Sequence, residues 1–236
     1  MKFSLTPALL ASAAFAQGFT FDRLNKSDAA LLVVDHQIGL SQLVRDYSVV
    51  EFRNSILAHA ALGKVFDLPT ILTTSADTGP NGALPKEIIE MHPEAPFIHR
   101  QGEVDAWDNP DFRAAVKATG KKQIILAGIV TEVCTSFLAL SLRAEGYDVW
   151  ANTDASGTFN DKLAADANRR MEQAGVHLMG VFGMAMDLMR DWRNTPGAAE
   201  VLPYLDVYLP QYSLVARAHG YAVDNGTLIP GEAQLL

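Results

Sequence analysis

Short apolar runs alternate along this chain with longer helical stretches, and few folds accommodate that order. AALLVVD (29–35), TILTTS (70–75), APFIHR (95–100), QIILAGIV (123–130), YDVWANTD (147–154) and VHLMGVFG (176–183) each read as a strand. The first and fourth are aliphatic nearly throughout, the mark of strands buried on both faces. Helical stretches fall at about 49–66, 84–91, 109–120, 133–146, 160–174 and 184–192. The punctuation agrees with them. Leu68-Pro69 ends the first, Asn109-Pro110 opens the third and Gly120 closes it, and Gly146 and Gly175 end two more. Six β-α units predict an α/β, Rossmann-like fold with a six-stranded parallel sheet covered by helices on both faces. In such a sheet, right-handed crossovers bring active groups to the C-terminal ends of the strands.

A chain of 236 residues is long enough for one large core, and 49% hydrophobic with 19% charged residues suits a globular domain. The net charge of -8, with no Lys/Arg cluster to offset it, argues against nucleic acid or an anionic membrane as partner. One cysteine excludes an internal disulfide framework and any multi-cysteine metal site. MKFSLTPALLASAAFAQG has a basic Lys2, an apolar stretch and Ala14-Phe15-Ala16 before Gln17. That is the layout of a secretory signal over 1–16, too short for a membrane span. Secretion is therefore expected, with a cytoplasmic location as the alternative if the leader is not cleaved. The sequons at Asn25 and Asn225 are compatible with export. Residues 17–194 form the expected domain. The remainder, 195–236, carries Pro196, Pro203, Pro210 and Pro230 and the apolar run VLPYLDVYLPQY. It is too apolar for a free linker and is expected to pack on the body or on a neighbouring subunit.

Three residues suited to chemistry fall at predicted strand ends: Asp35 after the first, Arg100 after the third and Cys134 after the fourth. In GIVTEVCTSF (128–137), Thr131 offers an N-cap hydroxyl and Cys134 falls in the first helical turn, a position that lowers a thiol pKa and supplies N–H donors for an oxyanion. A carboxylate beside the thiol accepts its proton, and a guanidinium keeps that carboxylate ionised. Singly, each residue has an ordinary reading as packing, turn cap or surface ion pair. Their coincidence at strand ends points to a shared crevice.

AALLVVDHQIGL, TTSADTGPNG, AWDNPDF, KATGKKQIILAGIVTEVC, TDASGTFN and MRDWRN resemble the isochorismatase-like cysteine hydrolases, in their YcaC-like branch, from about Asp22 to Asn194. The resemblance implies a three-layer α/β/α fold and an Asp–Lys–Cys triad, with Cys134 as nucleophile, Asp35 as base and Arg100 at the place of the family's usual lysine. Arginine stays protonated, so it serves as an electrostatic partner and not as a proton shuttle. The resemblance also implies a cis peptide at Ile129–Val130, with the Val130 and Cys134 N–H groups aimed at the developing oxyanion. Relatives assemble into dimers and larger rings, so a homo-oligomer is expected.

Trp107 and Phe159 are candidate walls of an apolar substrate pocket, with Thr74 and Thr131 as further substrate-binding candidates. Nicotinamidase-like relatives hold zinc with Asp-x-His and a further histidine, whereas TTSADTGPNG offers Asp77 and no histidine, so no metal is expected. His36 and His99, beside Asp35 and Arg100, point to the opposite sheet face from their neighbours. Isochorismatases proper lack this cysteine, which argues against vinyl-ether cleavage. G-x-G-x-x-G, P-loop and G-x-S-x-G patterns are absent, so no cofactor is expected. The expected function is hydrolysis of a C–N bond of a small amide-type molecule. The alternative is a catalytically silent or redox-sensing oligomeric binding protein on the same fold.

Overall fold

Six strands form one wholly parallel sheet in the computed structural model, which describes residues 21–231. They are β1 (Ala29–Val34), β2 (Thr70–Ser75), β3 (Phe97–Arg100), β4 (Gln123–Gly128), β5 (Asp148–Asn152) and β6 (His177–Met179). Their spatial order is β3-β2-β1-β4-β5-β6, the doubly wound arrangement that the β-α alternation predicts. The leader expected over 1–16 lies outside the described residues. Among the described residues, no helix is long and apolar enough to cross a membrane.

The helices are α1 (Val49–Val65), α2 (Lys86–Met91), α3 (Pro110–Ala118), α4 (Ser136–Ala144), α5 (Asp161–Gln173), α6 (Val181–Met189), α7 (Ala198–Tyr208) and α8 (Pro210–Asp224). Central β1 shows why its sequence has no polar alternation. Ala30, Leu32 and Val34 pack under α3, α4 and α5 with Phe112, Val116, Leu138, Leu142 and Met171. Ala29, Leu31 and Val33 face the other layer, with Leu62 of α1, Ile88 of α2, Met184 of α6 and Leu205 of α7. Every β1 residue is therefore buried. Local signals set the helix starts. Ser48 and Glu51 form a reciprocal capping box on α1, and Asn109 Oδ1 accepts from the Asp111 and Phe112 N–H groups at 3.0 Å, with Pro110 at the first position.

One expectation shifts. The last strand stops at Met179, and Val181–Gly183 belong to α6 instead, because Asp154 Oδ2 accepts the Val181 N–H at 2.8 Å and anchors the helix start there. The proline-bearing tail is helical. α7 joins the body through buried Val201, Tyr204 and Leu205, with Tyr204 Oη donating to Ala58 O at 3.1 Å. α8 rests on α7 with only Ser213 buried, and leaves Leu214, Val215 and Tyr221 exposed.

The sheet order puts the switch point between β1 and β4, whose chains leave in opposite directions. Gly128 closes that point tightly. A Cβ there would stand 2.6 Å from Val34 O, so a side chain would push the two strand ends apart. This close approach sets residue 35 beside the segment that follows β4.

Behind the switch point, His36 and His59 are fully buried. His36 Nε2 meets Ala155 O at 2.8 Å. His59 Nε2 donates to Leu32 O at 3.0 Å while its Nδ1 accepts from Asn152 Nδ2 at 3.2 Å. Protonating His59 would set a donor against the Asn152 amide, and burial lowers His36 to about 4 and His59 to about 3. The unfolded chain, with an ordinary value of 6.5, binds these protons more readily. Stability is therefore full above that value and falls as pH drops towards about 4, by up to about 1.4 kcal/mol per pH unit for each histidine. Urea unfolding at about pH 7, 6 and 5 is expected to show this decline, flattened in His59→Gln. A level profile would count against the neutral buried pair.

Candidate active site

Asp35 continues β1 with a positive φ of 54°, a conformation that aspartate tolerates, and its N–H donates to Thr73 O at 3.0 Å. The residue is fully buried. Arg100, the last residue of β3, is 1% exposed and sends Nη2 to both Asp35 carboxylate oxygens. Its Nε donates to Thr73 Oγ1 at 3.0 Å and its Nη1 to the Glu103 carbonyl. After β4 comes a cis peptide at Ile129–Val130, as the resemblance implies. One π-helical turn, Thr131–Thr135, then leads into α4. The turn is tied at both ends. Thr131 N–H donates to Gly157 O at 3.1 Å, and Thr135 Oγ1 donates to Gly128 O at 2.9 Å. Cys134 projects from it, 9% exposed, near enough to the Asp35 carboxyl and the Val130 N–H for both to act on its thiol. Asp35, Arg100 and Cys134 thus meet in one buried cluster.

Three local expectations are corrected. Cys134 lies in a widened turn preceding α4 and not in the first turn of a regular helix. Thr131 makes no capping bond, since its buried Oγ1 has no partner and the turn is held by its backbone instead. Nor is the thiol pKa lowered. Burial pushes it well above the ordinary thiol value, and the Asp35 charge adds to that. Burial likewise pushes the Asp35 carboxyl up, against the pull of the Arg100 guanidinium. A helix terminus cannot outweigh the loss of water around a nearly enclosed sulfur.

The substrate-binding candidates separate. Trp107 is buried in the apolar cluster that also holds Cys134, edge-on to Tyr147 and beneath Lys117 Nζ, with its Nε1–H unpartnered. That packing makes it core between α3 and α4. Thr74 is fully buried and donates to Asp77 Oδ2 at 2.9 Å, so its hydroxyl is already engaged. Phe159 stands open at 44% exposure next to Thr158, whose hydroxyl donates to Glu132 of the turn that holds Cys134. Asp77 also pairs with His99. Among the described residues, no cluster of three His, Cys, Asp or Glu side chains is placed for a metal. Thr73, Glu103 and Gln37 were not legible as site residues. Gln37 clamps the Ser75 peptide, accepting from its N–H at 2.9 Å and donating to its carbonyl at 3.1 Å. Nothing in TILTTS distinguishes Thr73 from Thr74, because only the fold shows which threonine faces Arg100.

Residues 29–181 match the model of the isochorismatase domain. The chain belongs to the isochorismatase family. It is 58% identical over 172 residues to YcaC of Escherichia coli, covering 73% of this chain and 83% of that protein. The E. coli YcaC crystal structure, described as an octameric hydrolase of unknown specificity, superposes with a TM-score of 0.83 over 86% of this chain and 98% of its own. YcaC from Pseudomonas aeruginosa, solved with hexane-2,5-diol and covalent acrylamide, gives 0.83 as well, at 51% identity over 86% of this chain and 99% of its own. Nicotinamidase from Staphylococcus aureus, at 17% identity, a TM-score of 0.53 and coverage of 64% of this chain and 99% of its own, shares the fold.

Burial keeps the Cys134 thiol protonated, while the Arg100 nitrogen on both Asp35 oxygens opposes the upward push of burial on that carboxyl and favours its charged form, so the pair is read as a neutral thiol beside a carboxylate with one proton between them. Moving that proton from sulfur to Asp35 makes a thiolate without exchange with solvent. Alkylation of Cys134, the one thiol in the chain, by iodoacetamide is therefore expected to keep a level rate across about pH 6 to 9. A free thiol would gain about tenfold per unit below its pKa near 8.5. Asp35→Asn is expected to slow the reaction about a hundredfold or more near neutrality and to restore the steep rise. A steep profile in the unaltered protein would count against an internal base.

Proposed function

We propose that the protein is a metal-independent cysteine hydrolase that cleaves the C–N bond of a small amide. The observation that carries this reading is the Cys134 thiol placed beside the buried Asp35 carboxyl, which Arg100 holds through both oxygens. As sulfur attacks the carbonyl carbon, its proton passes to Asp35. The Val130 and Cys134 N–H groups receive the oxyanion. Collapse breaks the C–N bond, and Asp35 returns the proton to the departing amine. Water, giving a proton to Asp35, then attacks the thioester, and that proton returns to sulfur as the acid leaves. Throughout, Arg100 keeps its charge and holds the carboxylate in place. The turn after β2 lacks the histidine pattern of zinc-binding relatives, which supports chemistry without a metal. Covalent acrylamide in the P. aeruginosa relative supports a reactive nucleophile on this fold.

The burial of Cys134 favours the second reading, a catalytically silent or redox-sensing binding protein. A panel of small amides and nitriles separates the two. Ammonia release by the unaltered protein and an acylated Cys134 seen by mass spectrometry are expected, with both lost in Cys134→Ala. No turnover and no adduct across the panel would leave the silent reading. We further propose a homo-oligomer, supported by the octameric E. coli relative and the exposed apolar residues of α8, and export through the 1–16 leader. Light scattering that found a monomer, or a mature N-terminus at Met1, would overturn these respectively.

A further inference from the structure

Arg100 meets Asp35 through a single nitrogen. A guanidinium commonly grips a carboxylate with two parallel bonds from two nitrogens. Here Nη2 alone faces both Asp35 oxygens, because the other two nitrogens are engaged elsewhere. Nε donates to Thr73 Oγ1 at 3.0 Å, and Nη1 donates to the Glu103 carbonyl. Thr73 is fully buried, and its hydroxyl proton goes to Ile98 O at 2.9 Å, which leaves its lone pairs for Arg100. The Glu103 segment is fastened in turn. Its carboxylate accepts from Asn109 Nδ2 at 2.9 Å and from the Gly102 N–H at 3.1 Å, and Asn109 caps α3.

We propose that Thr73 Oγ1 and the Glu103 carbonyl form a positioning cradle that confines Arg100 to a one-nitrogen contact and so keeps Asp35 free to receive the Cys134 proton. The inference rests on the reading of Asp35 as base. With Nε released, the guanidinium turns into the two-nitrogen grip, which draws the carboxyl towards Arg100 and away from sulfur. Thr73 is then a positioning residue. It acts on Cys134 only through Arg100 and Asp35.

Iodoacetamide alkylation of Cys134 near neutral pH, with thermal unfolding of each variant, tests the cradle. Thr73→Ser retains the acceptor and is expected to react within about twofold of the unaltered rate, whereas Thr73→Val, of similar shape but without the oxygen, is expected to slow by about tenfold or more. Adding Arg100→Lys to Thr73→Val is expected to recover part of the loss, because an ammonium presents one nitrogen and needs no partner at position 73. A merely structural threonine would lower the unfolding temperature, leave the rate unchanged and show no recovery with lysine. If Thr73→Val does not fold, Thr73→Ala is read in the same way. A normal rate in the threonine variant with a slow Asp35→Asn overturns the cradle and leaves the site reading standing. Normal rates in both overturn the base itself.

Discussion

A carboxylate and a guanidinium, both taken wholly out of water, meet at the C-terminal ends of β1 and β3, and much of the surrounding architecture keeps that arrangement tolerable. Burying two charges costs several kcal/mol per ion unless their remaining polar atoms are also satisfied. Here they are. The Asp35 backbone is tied to Thr73, and each guanidinium nitrogen has its own acceptor. β1, β2 and β3 must lie side by side for this to happen, so the sheet order is a precondition of the ion pair. Removing one member of such a pair leaves an uncompensated buried charge, typically a loss of about 3–5 kcal/mol.

The same burial sets the chemistry. Burial raises the Cys134 thiol as well, so it stays protonated at rest beside the Asp35 carboxyl. On the proposed mechanism, the site trades a standing thiolate for one formed during attack. Gly128 and the widened turn contribute geometry to that exchange. The first lets β1 and β4 close up, and the second swings the sulfur onto Asp35 while leaving backbone N–H groups beside it. The periphery answers to other demands. α7 completes the apolar layer over α1, whereas α8 carries apolar side chains that this chain alone leaves open.

The aliphatic runs, the Asn109-Pro110 start and the terminal glycines made the sheet and most helices legible, because burial on two faces and backbone capping leave local marks in the chain. The border between β6 and α6 was not legible. It depends on Asp154, remote in sequence, capturing the Val181 N–H. Among the site residues, Asp35, Arg100 and Cys134 could be picked out as reactive types at strand ends. Thr73, Gln37 and Glu103 could not, since a threonine, a glutamine and a backbone carbonyl acquire a role only from what stands opposite them.

What the sequence determined by itself was the β-α rhythm and the three residues delivered to the ends of β1, β3 and β4. The tertiary structure alone decided their state. It chose which strands became neighbours, closed the switch point at Gly128 and removed the water around Asp35 and Cys134. The thiol that its position in the chain marked for ionisation is held neutral instead. The reason is physical: solvation is lost through contacts between distant segments, and a local pattern carries no record of them.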